Sequence, residues 1–441
     1  MKYIITLMAF CFFYAAIAQV EVKTYYDPDE KELIKEVYFV KRDEPEVIIG
    51  KYQRYYPNGA LAMRGQYKDG YRDGPFEEYY DNGQVQRVIN YRDGEKEGPV
   101  KVYDDQGRTI QTAAFIKDKL ADSVKTYYPD GSLRTEGFFI KGLPEGLVIE
   151  YYPTGIHRRE IIYQDGQQTG ITKTFYEDAT LRTIGNYKEG ILNGFQRTYF
   201  PNGNLETASE NEAGMKSGIY KEYDIEGNLL LEAHYKNGHK NGPNLAYFAD
   251  GRPRHKFNYE DDQKMGQNQI FYDNGKIKTQ EFIRKNNENT VTEFHWEGYK
   301  TLEKELNNGT PSGKWTYYYP NGAVMASESY EKGRKSGLRT EYDSLGNKTT
   351  EIPYKLGAIS GTVIAFYTTE EKKHETEYIL NKKQGEYREY APNGKVIKEG
   401  QFVNNKESGL WNIYDETGKL IELWSYKNGQ LVEKREPEEK E

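Results

Sequence analysis

Residues 55–75 read YYPNGALAMRGQYKDGYRDGP, and residues 79–99 read YYDNGQVQRVINYRDGEKEGP, the same clause 24 residues later. The turn glycine serves as a marker. It falls at Gly59, Gly83, Gly107, Gly131 and Gly155, and again from Gly203 to Gly275 at the same interval. After one step of 23 to Gly298 it resumes at Gly322, Gly346, Gly394 and Gly418. Ala179 and Glu370 fill the two slots that lack it. A period this strict is the signature of stacked supersecondary units.

Each position has a local reason. In YPNG and YPDG, Pro presets φ, Asn or Asp tolerates the turn centre, and Gly takes a positive φ. One strand therefore ends near Tyr56 and the next begins near Leu61. The second strand alternates, with Leu61, Met63, Gly65 and Tyr67 on one side. A second turn, YKDG or YKNG, returns the chain and leads to the series Gly74, Gly98, Gly146 and Gly170. Four residues before every marker stands an aromatic residue, from Tyr55 and Tyr79 to Tyr390 and Tyr414. Eight after it stands a second aromatic column, from Tyr67 to Tyr426, broken by Asn211, Ile283 and Leu306. Gly65, Gly137, Gly185 and Gly400, two before that column, leave room for a neighbouring ring. A lone hairpin is unstable, so the copies must stack to bury their faces. The expectation is all-β: an elongated, solenoid-like repeat of β-hairpins forming one long twisted antiparallel sheet. The two aromatic columns are expected to run along it as ladders. About seventeen copies at ~4.8 Å per strand give a ribbon on the order of 150 Å.

Composition agrees. Tyr (41) and Gly (43) abound in the 441 residues, while large aliphatic residues are sparse. Residues 1–18 carry Lys2, an apolar run and Ala16-Ile17-Ala18, which reads as a signal peptide cleaved before Gln19. The run is too short to span a bilayer, and no later segment is long enough. Cys11, the single cysteine, lies inside it, so the exported chain has no disulfide or Cys metal site. The repeat array is expected over 25–432, and 433–441 as a charged disordered tail. The formal charge of −8, with both signs interspersed, excludes a nucleic-acid stripe and argues against anionic lipid.

The segments GQYKDG (65–70), GNYKEG (185–190) and AHYKNG (233–238) resemble the MORN repeat. With the preceding YYxNG they are most similar to the bacterial MORN variant of antitoxin-like type. The resemblance covers roughly 25–432. It implies an elongated scaffold or dimerisation platform, sometimes a lipid-binding surface. The antitoxin label implies masking of a toxin, from which this chain departs in length and in its leader.

Catalytic chemistry is missing from the pattern. The six histidines form no HExxH or other ligand motif, no G-x-S-x-G or P-loop occurs, and Asp261-Asp262 reads as a turn in the slot of DG. The expectation is no enzyme, no cofactor and no metal. It is instead an exported scaffold, periplasmic, cell-surface or extracellular, binding a protein or cell-envelope polymer. A homodimer through the sheet edges and a carbohydrate- or lipid-binding surface stand beside that reading. Candidate binding residues come from the column three before the marker, where aromatics mix with Asp104, Asp224, Asp343 and Asp415. Strand alternation would put this column on the face opposite the invariant aromatics, exposed to water. Tyr128, Tyr152, Tyr176 and Phe200 form its continuous aromatic stretch.

Overall fold

The computed structural model describes residues 19–438. The expected signal peptide over 1–18 and the end of the expected tail lie outside the described residues. Those described form thirty-nine β-strands and no helix. The strands fall into two compact units, one up to Met215 and one from Lys216.

In the first unit, Ile48–Tyr55 pairs antiparallel with Leu61–Lys68, and that strand with Gly74–Tyr79. The meander continues in this way through Ile191–Tyr199 paired with Leu205–Glu212. The second unit repeats the pattern, as in Lys382–Tyr390 with Val396–Val403 and Lys406–Tyr414 with Leu420–Lys427. The open antiparallel architecture is thus as the sequence indicates. The first strand, Gln19–Tyr25, starts before the expected boundary at 25, and the last, Gln430–Arg435, reaches into the expected tail.

Two turn types alternate. At Tyr56-Pro57-Asn58-Gly59 the Gly59 amide donates to the Tyr56 carbonyl at 2.9 Å, and Gly59 has φ +81°. Asn58 Oδ1 accepts the Ala60 amide at 2.9 Å, which fixes the turn centre. This is a type I turn closed by a left-handed residue, and Tyr55 pairs with Leu61 across the resulting bulge. The second turn has two residues only. Asp69 and Gly70 have φ of +49° and +85°, the signature of a type I′ hairpin. Asp261 and Asp262, at +47° and +65°, fill the same two places.

Register then assigns the faces. Tyr52 pairs with Gly65 and Gly50 with Tyr67, so these side-chain positions share one face. On it Tyr52, Met63 and Phe76 form a buried cluster with Tyr38, Tyr67 and Tyr91 packed against it. The rings alternate along the sheet: Tyr67–Phe76 at 5.5 Å and Phe76–Tyr91 at 5.3 Å, both edge-on. Edge-on pairs contribute about 0.5–1.5 kcal/mol each beyond burial. In the second unit Phe402–Trp411 and Trp411–Tyr426 repeat the motif at 5.3 and 5.7 Å. A Cβ at Gly65 would stand 2.6 Å from the Phe76 ring. Glycine there makes room for a ring, as expected.

The two aromatic columns lie on opposite faces of the sheet. The column four before the marker lies on the other face, where Tyr318 donates to Glu303 at 2.9 Å and Tyr390 to Glu375 at 2.5 Å. Burial, then the neighbouring carboxylate, pushes both phenols up to about 12. The deep partner of Tyr67 and Tyr91 is the position seven before the marker: Tyr52, Phe76 and Trp411. Its occupants vary widely, from Phe76 to Thr172, Asn244, Asn268 and Arg339, which hid it from a search for aromatic residues.

Where the deep column carries Asn268 and Asn244, their side chains find hydrogen-bond partners. Asn268 Nδ2 donates to the Gly266 carbonyl at 3.0 Å, and its Oδ1 accepts the Asn258 amide at 3.0 Å. His255 meets Asn244 at 2.9 Å and stacks on Phe257 at 4.1 Å. Burial, then Arg254, Lys264 and Lys240, lowers its pKa to about 4. Glu328, its side chain 2% exposed, accepts from Lys335 at 2.8 Å, Arg339 at 2.6 Å, and the Tyr317 and Tyr330 hydroxyls at 2.9 Å each.

Candidate functional site

Tyr128, Tyr152, Tyr176 and Phe200 each stand one residue beyond a strand end, as the first residue of the type I turn. The Tyr128 amide donates to the Ser132 carbonyl, and the Tyr128 carbonyl accepts the Gly131 amide, both at 2.9 Å. Because these residues have left the strand, alternation does not place them. All four are half-buried rather than openly exposed.

The phenols have a specific partner. Tyr128 donates to the carbonyl of Tyr151 at 2.8 Å, Tyr152 to that of Phe175 at 2.9 Å, and Tyr176 to that of Tyr199 at 2.8 Å. Each bond runs 23 residues ahead, from one turn to the strand end of the next copy. Tyr56, Tyr80, Tyr319 and Tyr367 make the same bond. It satisfies a carbonyl where the bulge interrupts the ladder, and it couples one hairpin to the next. Phe200 has the ring and no hydroxyl, so it cannot make this bond.

A second feature was missed in the sequence reading. Arg134 lies over the Tyr128 ring at 5.8 Å, Arg158 over Tyr152 at 6.0 Å, and Arg182 over Tyr176 at 5.6 Å. The three guanidinium groups are exposed, and none has an ion-pair partner among the described residues. They arise from every second strand, Leu133–Ile140, His157–Gln164 and Leu181–Lys188. Successive charges therefore recur at about 10 Å. The signal was present in the sequence as three arginines in one register, three residues after the marker.

Among the described residues no group of three or more His, Cys, Asp or Glu could hold a metal ion. His239 meets Asp262 at 2.6 Å, whereas His234 meets the Pro243 carbonyl at 3.0 Å. No described helix is long and apolar enough to cross a membrane.

Hairpins joined by type I and type I′ turns and tied copy to copy by turn tyrosines define a β-hairpin repeat protein. Eight segments match the model described as the MORN repeat variant: 49–69, 72–93, 123–141, 144–165, 216–237, 311–332, 383–404 and 407–435. These segments of the chain are repeats of the MORN type. No curated protein matches it. Among solved structures it is similar to the crystal structure of TcdB2-TccC3, at 11% identity over 93% of this chain and 31% of that one, with a TM-score of 0.11. It is also similar to the Photorhabdus luminescens Tc holotoxin pore carrying a mutated TccC3, at 11% identity over 94% and 29%, with a TM-score of 0.12. The chain spans less than a third of either, and scores this low carry no argument about role.

Proposed function

We propose that this chain is a non-catalytic repeat scaffold, exported by cleavage before Gln19, that binds an acidic protein or cell-envelope polymer. The observation that supports a binding role is the row of Arg134, Arg158 and Arg182. Three unpaired guanidinium groups at a fixed interval, each backed by a phenol ring, suit a partner with recurring anionic groups. Tyr128, Tyr152 and Tyr176 then serve the surface in two ways, as ring supports for arginine and as props for the next turn. The matched model is described only as a repeat variant, so a toxin-masking role is not carried into this reading.

The test is capture from the envelope fraction of the source cell with the chain beginning at Gln19. Replacing all three arginines with Ala should abolish salt-sensitive capture and leave the melting temperature within a degree or two, since exposed charges contribute little to stability. Undiminished capture by the triple variant removes this surface from the proposal. Intact Met1 on native protein, found by mass spectrometry, removes export.

A further inference from the structure

One hairpin of the first unit breaks the rules of the others. Nine residues before the marker the chain has glycine in most copies, with positive φ, as at Gly74 (+82°), Gly98 (+90°) and Gly146 (+71°). Before Gly131 that place is Asp122, which does not adopt a positive φ. The strand opens over Ala121–Ser123, leaving the short segments Lys119–Leu120 and Val124–Tyr127. In the other interrupted hairpin of this unit the gap is the single residue Asp73.

Phe76 fills the space between Tyr67 and Tyr91, but the equivalent place between Phe115 and Phe139 holds Val124, as Val100 and Val148 hold it in the flanking copies; the opened strand at Asp122 sets this one apart. Val124 faces Gly137 across the sheet, so neither side chain fills the gap. The result is a cavity of about 790 Å³ lined by Phe115, Phe139, Leu120 and Val124, with Gln111 and Thr126 as polar points. A pocket of this size with an apolar lining and few polar groups is what small-molecule sites look like.

Its rim carries two lysines and one carboxylate: Lys119, Lys141 and Asp118 border the cavity, and neither lysine has an ion-pair partner among the described residues. Lys96 Nζ lies 5.3 Å from the centre of the Phe115 ring. The nearby carboxylates are engaged: Asp118 accepts the Lys96 amide at 2.9 Å, Asp122 the Ser123 amide at 2.7 Å, and Glu97 the Lys117 amide at 3.0 Å.

We propose that this cavity binds a small aromatic anion, a planar ring carrying a carboxylate or sulfonate. The ring takes the vacant place between Phe115 and Phe139, and the anion meets Lys119 and Lys141.

The probe is 1-anilinonaphthalene-8-sulfonate, with N-phenyl-1-naphthylamine as its uncharged analogue, titrated into the full chain. Val124→Phe supplies the missing ring and should weaken sulfonate binding at least about tenfold. Lys119→Ala with Lys141→Ala should weaken it about threefold to tenfold and leave the uncharged probe unaffected. Asp122→Gly restores the bulge glycine and should also weaken binding while folding at least as well as the parent, which covers the case of a misfolded Val124→Phe. Unchanged sulfonate binding in Val124→Phe and Asp122→Gly, or equal binding of the two probes, overturns the proposal.

Discussion

The hydroxyl of Tyr152 donates to the backbone carbonyl of Phe175, 2.9 Å away and 23 residues along the chain. The bond joins neighbouring copies at the bulge, where the register of the strand pair shifts between Thr174 and Phe175. Tyr152→Phe keeps the ring beneath Arg158 and deletes only this bond. It should cost about 1 kcal/mol. Doing the same at Tyr128 and Tyr176 should add nearly linearly, since the bonds share no partner. Capture of an acidic partner should survive the triple Phe variant and fail in the triple arginine variant. Loss of capture in the Phe variant at unchanged stability would assign binding to the hydroxyls themselves.

Ala179 and Glu370 stand in the marker slot with φ of +71° and +68°. The turn imposes the left-handed conformation whether or not glycine is present. A side chain there costs roughly 1–2 kcal/mol, part of which glycine returns to the flexible unfolded chain. Ala179→Gly and Glu370→Gly should therefore each raise stability by about 0.5–1 kcal/mol, read as a higher denaturation midpoint. A lower midpoint in both would mean these two turns are held by side-chain contacts instead.

Gly400 faces Trp411, whose side chain is among the most buried in the protein at 1% exposure. A Cβ at Gly400 would stand 2.2 Å from the nearest indole carbon, and a rigid ring packed by Tyr387, Phe402 and Tyr426 has nowhere to go. Gly400→Ala should destabilise by about 1–3 kcal/mol through overpacking. Trp411→Ala should cost about 3–5 kcal/mol through the void it leaves. Combined, the two should cost less than their sum, because the alanine methyl occupies part of that void. Strict additivity in a double-mutant cycle would contradict direct packing between the two sites.

The marker register, both turn chemistries and the glycine that admits a ring were legible because each is set by local backbone geometry. The face assignments were less so. The strand ends at Tyr55, so counting by twos does not carry on to Tyr56, the first residue of the turn. The deep column escaped notice because burial selects for fit with the residue opposite rather than for one residue type. Phe76 fits against Gly65, while Asn268 bonds the backbone of Gly266 and Asn258. The arginine row and the missing glycine at Asp122 were both readable as deviations from the repeat. They required looking for what varies between copies instead of what recurs.

Glu328 occupies a buried position where other copies carry residues as different as Gly65, Ile89, Ala113 and Ser209. Burial alone would raise its pKa, but Lys335, Arg339, Tyr317 and Tyr330 more than offset this and hold it at about 2, against an ordinary value of 4.5. A carboxyl depressed on folding contributes stability that is fully present above its unfolded value and is lost as pH falls through the folded one. The second unit should therefore lose stability between about pH 4.5 and 2 through this group. Glu328→Gln keeps the shape but leaves Arg339 and Lys335 facing an uncharged amide in a desolvated site. It should cost about 3–5 kcal/mol at pH 7, and the gap to the parent should shrink as pH drops through that window. Urea unfolding at stepped pH, followed by Trp315 and Trp411 fluorescence, measures both. A glutamine variant as stable as the parent at pH 7, or a gap that stays constant down to pH 2, would show that the network holds no net charge-dependent stability.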